Sequence, residues 1–337
     1  MTTTLFRDPA GMLPNTLALA YTLLGYGVGW LGLFAPSPLI NLLAVLWLAH
    51  AMVIGAYLIH ECSHHTIFRD PAHNNRLGRW LGWLTGSCYG DYDSLRDKHM
   101  RHHVDNADVL GFDYRVWLRR WPALRRAVEA LEWAYLPACE IIMHLMLILG
   151  PFVLPGREDQ RSRVLLALLV RLPLFLLIGW LSPKALFLYG LAYLLMVTLL
   201  RFMDAFQHNY EAVDVVAHPD WVPEYKGDSA YEQDHTFSNP VTLRHGWLNL
   251  LSLNFAYHNA HHARPTAPWH RLPALHRQLY GEGEDPQVLR LRDQLRCFHR
   301  NRVARVMSEV DEFDGLQQRA QDGVMVGANG VSFLTVV

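Results

Sequence analysis

Apolar positions in this chain are gathered into long runs instead of recurring at the spacing of amphipathic elements. Leu13–Phe34 is the first run. About 20 apolar residues suffice to cross ~30 Å of hydrocarbon as a helix, and this run meets that length. Ala35-Pro36-Ser37-Pro38 is a tight uncharged turn, and Leu39–Ile59 runs back. Val164–Leu181 and Ala185–Met203 repeat the arrangement around Ser182-Pro183-Lys184. The pattern therefore predicts four transmembrane helices in two hairpins. Gly25 and Gly29 form a GxxxG, which suits close helix packing in lipid. With Gly27 they could be mistaken for a dinucleotide loop, but no strand precedes them.

The segments between the hairpins are shorter and more mixed. Leu77–Tyr89 is apolar and aromatic but too short to span, so it is expected to lie along the interface or dip into the bilayer. Trp117–Glu132 predicts a basic amphipathic helix lying on the surface. Trp133–Leu154 is interrupted by Pro137, Glu140, His144, Gly150 and Pro151, and reads as an embedded or interfacial helix, with a true span as the alternative. Beyond Met203 the chain turns polar. Glu211–Asp234 is loop-like, Pro273–Asp322 reads as charged amphipathic helix, and the last fifteen residues are expected to fray. The fold class expected is all-α integral membrane, a single membrane domain with interfacial helices and a cytoplasmic helical cap over residues 204–322.

Charge sets an orientation. Arg69, Arg76, Arg79, Arg96, Lys98 and Arg101 follow the second span, whereas the two hairpin turns hold one basic residue between them. The side after the second span is therefore expected to face the cytoplasm, across the inner membrane if the cell is bacterial. No removable signal peptide is expected at the N-terminus. A net charge of −1 argues against a nucleic-acid partner. Cys62, Cys88, Cys139 and Cys297 are scattered without a CxxC. This excludes a disulfide framework, an iron–sulfur site or a thiolate zinc site as the organising feature.

The nineteen histidines are the anomaly. Three boxes hold most of the chemistry: His60-Glu61-Cys62-Ser63-His64-His65, His99-Met100-Arg101-His102-His103 and His258-Asn259-Ala260-His261-His262. Residues i, i+3 and i+4 share a helix face, so HxxHH is expected to set three imidazoles on one stripe and HxxxH two. His60, His64, His99, His102, His103, His258, His261 and His262 make eight candidate ligands. One ion takes about four to six, so two ions are implied; all-imidazole sites suit iron, copper, zinc or nickel rather than magnesium or calcium. His50 and His144 read as packed structural residues. Arg171 sits seven residues inside the third span, either as a functional charge or snorkelling to the interface. A membrane metal transporter is the competing class, but transport sites lie near the bilayer midplane, and these boxes follow the spans in polar sequence.

HECSHH, HMRHH and HNAHH, set around two apolar hairpins, resemble the histidine boxes of membrane fatty-acid desaturases and their hydroxylase relatives. The stretch Asn254–Pro265, NFAYHNAHHARP, resembles the third box and its exit. The resemblance spans roughly residues 13–280. It implies two ferrous ions held by the eight histidines, which activate O2 to remove a hydrogen atom from an unactivated C–H of a fatty acyl chain. It also implies a ninth ligand, His208, four residues beyond Asp204. The family commonly has Asn there, reaching one iron through water, so Asp204 is a departure. His235 competes with His208, and His65 can replace His64.

Loss of a second hydrogen would give desaturation, the leading expectation. Oxygen rebound would give hydroxylation or ketolation. Loss of CO2 from a free fatty acid would give a terminal alkene, as in a decarboxylase branch with a similar layout, and Arg171 or Arg201 would then anchor the carboxylate. Electrons are expected from an external ferredoxin-like donor with its reductase, because the chain carries no fused cytochrome, no flavin or nicotinamide fingerprint and no cysteine cluster. Arg115, Arg119, Arg120, Arg125 and Arg126 are expected to meet anionic lipid headgroups in preference to that donor. Glu61, Asp97, Asp105, Asp108, Asp234 and Asn259 are the candidates for holding the outer ring nitrogens.

Overall fold

Prolines and small polar caps start most of the helices, and side-chain or glycine caps end several of them. The computed structural model describes residues 5–214, 220–281, 287–308, 311, 315–332 and 334–335. Helix α1 (Met12–Leu33) is followed by α2 (Pro38–Ser63), whose first residue, a proline, has the φ a helix start requires. Asn41 closes the turn: its Nδ2 donates to the carbonyls of Gly32, Leu33 and Ala35 at 2.8, 3.3 and 3.1 Å. These are carbonyls at and just beyond the end of α1 that its own helix cannot satisfy.

Gly25 and Gly29 face α2 at close range. A Cβ on Gly29 would sit 2.9 Å from the Leu48 Cβ, and one on Gly25 2.7 Å from the Trp47 Nε1, whereas Gly27 has nothing within 4 Å. The GxxxG is thus a packing seam. His50 is structural as expected, with its Nδ1 2.6 Å from the Tyr21 hydroxyl. Helix α3 (Pro71–Thr85) begins on an Asp70 cap and stops at left-handed Gly86, and α4 is Tyr92–Asp105.

The next elements in order are a short strand β1 (Asp108–Leu110), α5 (Tyr114–Arg120), α6 (Pro122–Trp133), α7 (Ala138–Val153), α8 (Arg161–Leu181), α9 (Pro183–Asp204) and β2 (Ala212–Asp214), which pairs in parallel with β1. Then come α10 (Ser229–Asp234), α11 (His258–Ala263), α12 (Leu272–Tyr280), α13 (Leu291–Arg300) and α14 (Leu316–Asp322). Among the described residues the fold is all-α apart from that strand pair. Among the described residues, four helical stretches are long and apolar enough to cross a membrane: Pro9–Leu33, Pro38–Ser63, Glu158–Leu181 and Pro183–Asp204. They coincide with the four expected spans.

Three expectations need correction. Trp117–Glu132 is two helices, because Pro122 pushes Trp121 out of the helical region (φ −123°, ψ 83°). Pro273–Asp322 is divided among α12, α13 and α14. Among the described residues of the C-terminal segment (323–332 and 334–335) there is no fraying: Met325, Leu334 and Thr335 are buried, and Lys98 Nζ donates to the carbonyls of Ser332 and Thr335. The missed signal is a set of backbone partners far away in sequence. Gly330 N–H donates to the Glu140 carboxylate at 2.7 Å, and the Asp311 carboxylate accepts from Val326 and Gly327. Helix α7, at 16 residues, is ~24 Å long, which suits an embedded helix better than a span.

The chain divides into two compact units, one of residues 1–93 with 147–199, the other of 94–146 with 200–337. In the first, Arg171 does not snorkel. It is 7 % exposed, donates to the Trp83 carbonyl at 2.8 Å and lies 5.1 Å from the centre of the Phe175 ring. In the second, Arg201 is paired with the buried carboxylate of Glu132 at 2.8 Å.

Candidate metal centre

Eight of the candidate histidines lie in the second unit, and all but His235 gather into two groups. His102, His208, His258 and His262 form one, each offering a nitrogen within 4.8 Å of the others. His99, His103 and His261 gather in the same way. The expected single stripe per box is therefore corrected. In box two, His99 and His103 go together while His102 turns to the other group. In box three, His258 and His262 stay together and His261 departs. Positions i and i+4 are retained on one line; position i+3, on the other flank of the same face, serves the neighbouring group. One box thus contributes to two histidine groups.

In the first unit, box one ends α2. His60 and His64 lie one turn apart with ring centres 4.7 Å apart, and both are buried. His65 leaves the helix in a left-handed conformation (φ 55°), and its Nε2 meets the Asn75 side chain at 2.9 Å. Among the described residues, the ligand groups contain neither His65, His235 nor Asp204. His235 stacks on Tyr231, and its Nδ1 meets the Tyr231 carbonyl at 2.9 Å. Asp204, with Lys98, Asp108 and Val331, lines a small cavity beside His99, His102, His208 and His258.

Local structure fixes each box of the second unit. Box two occupies the last turns of α4, which Asn106 terminates in a left-handed conformation (φ 53°). Box three sits on the short α11. Left-handed Leu253 and Asn254 lead into it, and the buried Asn259 side chain is hydrogen-bonded to Ser238 Oγ. His208 lies just past α9, where the backbone of Gln207–Asn209 pairs with that of His235–Phe237.

The donor set fits a metal ion. His208 Nε2 faces the Nε2 atoms of His102, His258 and His262 at 3.3, 2.8 and 2.9 Å. A ring nitrogen carries either one hydrogen or one lone pair, so it cannot hydrogen-bond with three partners at once. One cation satisfies all four. Nitrogens bound at right angles to an ion at ~2.1 Å would stand ~3.0 Å apart, close to these separations. The outer nitrogens agree. His102 Nδ1 meets the Ala107 carbonyl at 2.9 Å, and His262 Nδ1 meets Glu232 Oε1 at 2.9 Å. Both acceptors require N–H at Nδ1, which leaves the Nε2 lone pair pointing inward.

Burial reinforces this by disfavouring the charged imidazolium. It holds His208 and His262 well below the ordinary histidine range and His261 down to about 3. These ligands are therefore unprotonated at neutral pH, as metal binding requires. Desolvation also raises Glu232 to about 7.

Glu232 is the residue that sequence reasoning missed. It stands with His103 and His262 in a third group whose ligand atoms lie within 4.8 Å of one another, and it contacts His262 directly at 2.9 Å. Two of the expected partners reach a candidate ligand: Asp108 stands 3.3 Å from His102 Nδ1, and Glu61 3.6 Å from His60 Nδ1.

The sequence profile of the family described as fatty acid desaturase matches residues 36–292, more than half of the chain. The chain belongs to the fatty acid desaturase family. A curated relative, the sphingolipid delta(4)-desaturase of Komagataella phaffii, is 27 % identical over 237 residues, which cover 68 % of this chain. The match spans 60 % of that relative's own length.

Proposed function

We propose that the protein is a membrane-bound di-iron oxidoreductase that uses O2 to desaturate a fatty acyl chain. The observation that carries this is the convergence of the His102, His208, His258 and His262 nitrogens beside the second group of His99, His103 and His261. The sequence pattern assigns His60 and His64 to the same ligand set. Bound iron would supply the activation of O2 and the removal of hydrogen from an unactivated C–H. Nitrogen-only donors suit iron, and they suit copper or zinc in the same positions, so the identity of the metal is part of the proposal.

The chain's own residues hold and tune that centre. The Ala107 carbonyl and Glu232 fix the tautomers of His102 and His262. Burial keeps the imidazoles of His208, His261 and His262 neutral. Phe255, Val109 and Val331 form the apolar part of a cavity wall that is otherwise polar. Desaturation is favoured over loss of a free carboxylate by the state of the two candidate anchors. A substrate carboxylate at Arg201 would have to displace Glu132, and one at Arg171 would have to compete with the Trp83 carbonyl. Electrons come from an external one-electron donor, a ferredoxin-like protein with its reductase. The basic residues after the second span support a metal centre on the cytoplasmic side.

Metal analysis tests the reading. Purified protein loaded anaerobically with ferrous iron is expected to hold two ions per chain. His258→Ala and His99→Ala are each expected to lose about half of that iron. A wild type that binds no iron, or variants that keep the full complement, would overturn the ligand assignment.

A further inference from the structure

Four aromatic rings run from the metal-binding histidines to the surface. His208 stacks on Tyr210 with ring centres 4.8 Å apart and planes 14° apart. Tyr210 faces Tyr231 at 6.0 Å and 16°. Tyr231 lies on Tyr225 at 3.9 Å and 3°. The series begins at a nitrogen ligand, passes through Tyr210, which is 2 % exposed, and ends at Tyr225, which is 41 % exposed.

The outer ring is pinned to the metal-binding helix. Asn106, the residue that ends α4, donates from Nδ2 to the carbonyls of Tyr225 and Asp228 at 2.7 and 3.0 Å. Gly227 N–H donates to the Val104 carbonyl at 3.0 Å, and Lys226 Nζ stands 3.4 Å from Asp105. Ordinary core packing would account for two touching rings. It does not require near-parallel rings at every step from a ligand to solvent, with the solvent end fastened to the helix that carries box two.

Resting on the proposed function, we propose that His208, Tyr210, Tyr231 and Tyr225 form the route by which electrons enter the metal centre, with Tyr225 as the entry point. Tunnelling falls steeply with each gap between orbitals, and stacked rings replace one long gap by short ones. Each transfer moves one electron. The external iron–sulfur donor is oxidised, and a ferric ion bound at His208 is reduced to ferrous. The rings act as a bridge, so the phenols keep their protons and none is released. The three tyrosines are positioning residues for electron entry and touch no substrate.

The route can be tested by delivering the electron beside Tyr225. Lys226 is 58 % exposed, whereas Cys62, Cys139 and Cys297 are buried and Cys88 is half-buried. Lys226→Cys therefore gives the thiol on which a ruthenium tris(bipyridine) photoreductant can be fixed in the full-length protein. Flash reduction of the bound ferric iron is followed optically, with iron content measured on every sample. The expected result is at least a tenfold slower reduction in Tyr231→Leu and in Tyr210→Leu at equal iron content, with most of the rate restored by Tyr231→Phe, which returns the ring. Equal rates in wild type and Tyr231→Leu would overturn the route alone. Slowing that Tyr231→Phe does not relieve would assign the effect to the hydroxyl and also overturn the ring bridge. A labelled protein that binds no redox-active metal would overturn the functional reading and the route together.

Discussion

At the scale of single residues, the centre depends on which nitrogen of each imidazole carries the proton. Glu232 settles this for His262 through a 2.9 Å contact with Nδ1. Removing such an outer partner usually weakens metal binding by roughly 10- to 100-fold while leaving the ligands in place. Glu232→Ala is therefore expected to lower iron affinity by about that factor with the fold unchanged, as read by competition with a chelator; unchanged affinity would show that Glu232 is only a neighbour.

Acid sensitivity follows from the same histidines. His261 is held down to about 3, and His208 and His262 are also lowered, whereas an unfolded chain takes up these protons near 6.5. Below that value the unfolded state binds more protons than the folded one, so folding stability falls as pH falls. Metal-free protein is expected to lose melting temperature steadily between pH 6.5 and the low end near 3; a flat profile over that window would contradict the buried, neutral assignment. The histidines themselves were legible from spacing in the sequence. Glu232 was not, because its contact with His262 joins positions 30 residues apart that only tertiary structure brings together.

At the scale of elements, small residues and prolines decide most of what happens. The seam between α1 and α2 was readable because GxxxG has a direct steric meaning. At Gly29 an added methyl would meet the Leu48 Cβ at 2.9 Å and its Cα at 3.2 Å, so backbone has to move. Gly29→Ala is expected to destabilise the protein by roughly 1–3 kcal/mol, the usual range for overpacking, whereas Gly27→Ala, with open space around it, should not. Thermal unfolding in detergent distinguishes the two.

The break at Trp121 was also written in the sequence, in Pro122, but the amphipathic pattern on either side masked it. The splitting of HxxHH between two groups was not legible at all. Helical periodicity states which residues share a face; it does not state that two sites lie on opposite flanks of that face.

At the scale of the whole molecule, the four apolar stretches and the family membership give an integral membrane protein. The tail is the feature the chain pattern concealed. The segment looks unstructured by composition, yet Glu140, Lys98 and Asp311 hold the backbone of Val326, Gly327, Gly330, Ser332 and Thr335, and Val331 reaches the cavity beside the histidines. Ending the chain after Gly323 is expected to expose Lys98 and Glu140, lower the melting temperature and reduce bound iron. A truncated protein with full iron content and unchanged melting would show that the tail contributes nothing to the centre.

The measurement that tests the central claim most directly is product analysis. Membranes containing the iron-loaded protein are given a saturated fatty acyl substrate, O2 and a reducing system, and both the headspace and the extracted lipid are read by mass spectrometry. The account predicts an unsaturated acyl chain of unchanged length, absent when His258 is replaced by alanine. A terminal alkene one carbon shorter, released with CO2, or no oxidised product at all from the iron-loaded wild type, would contradict it.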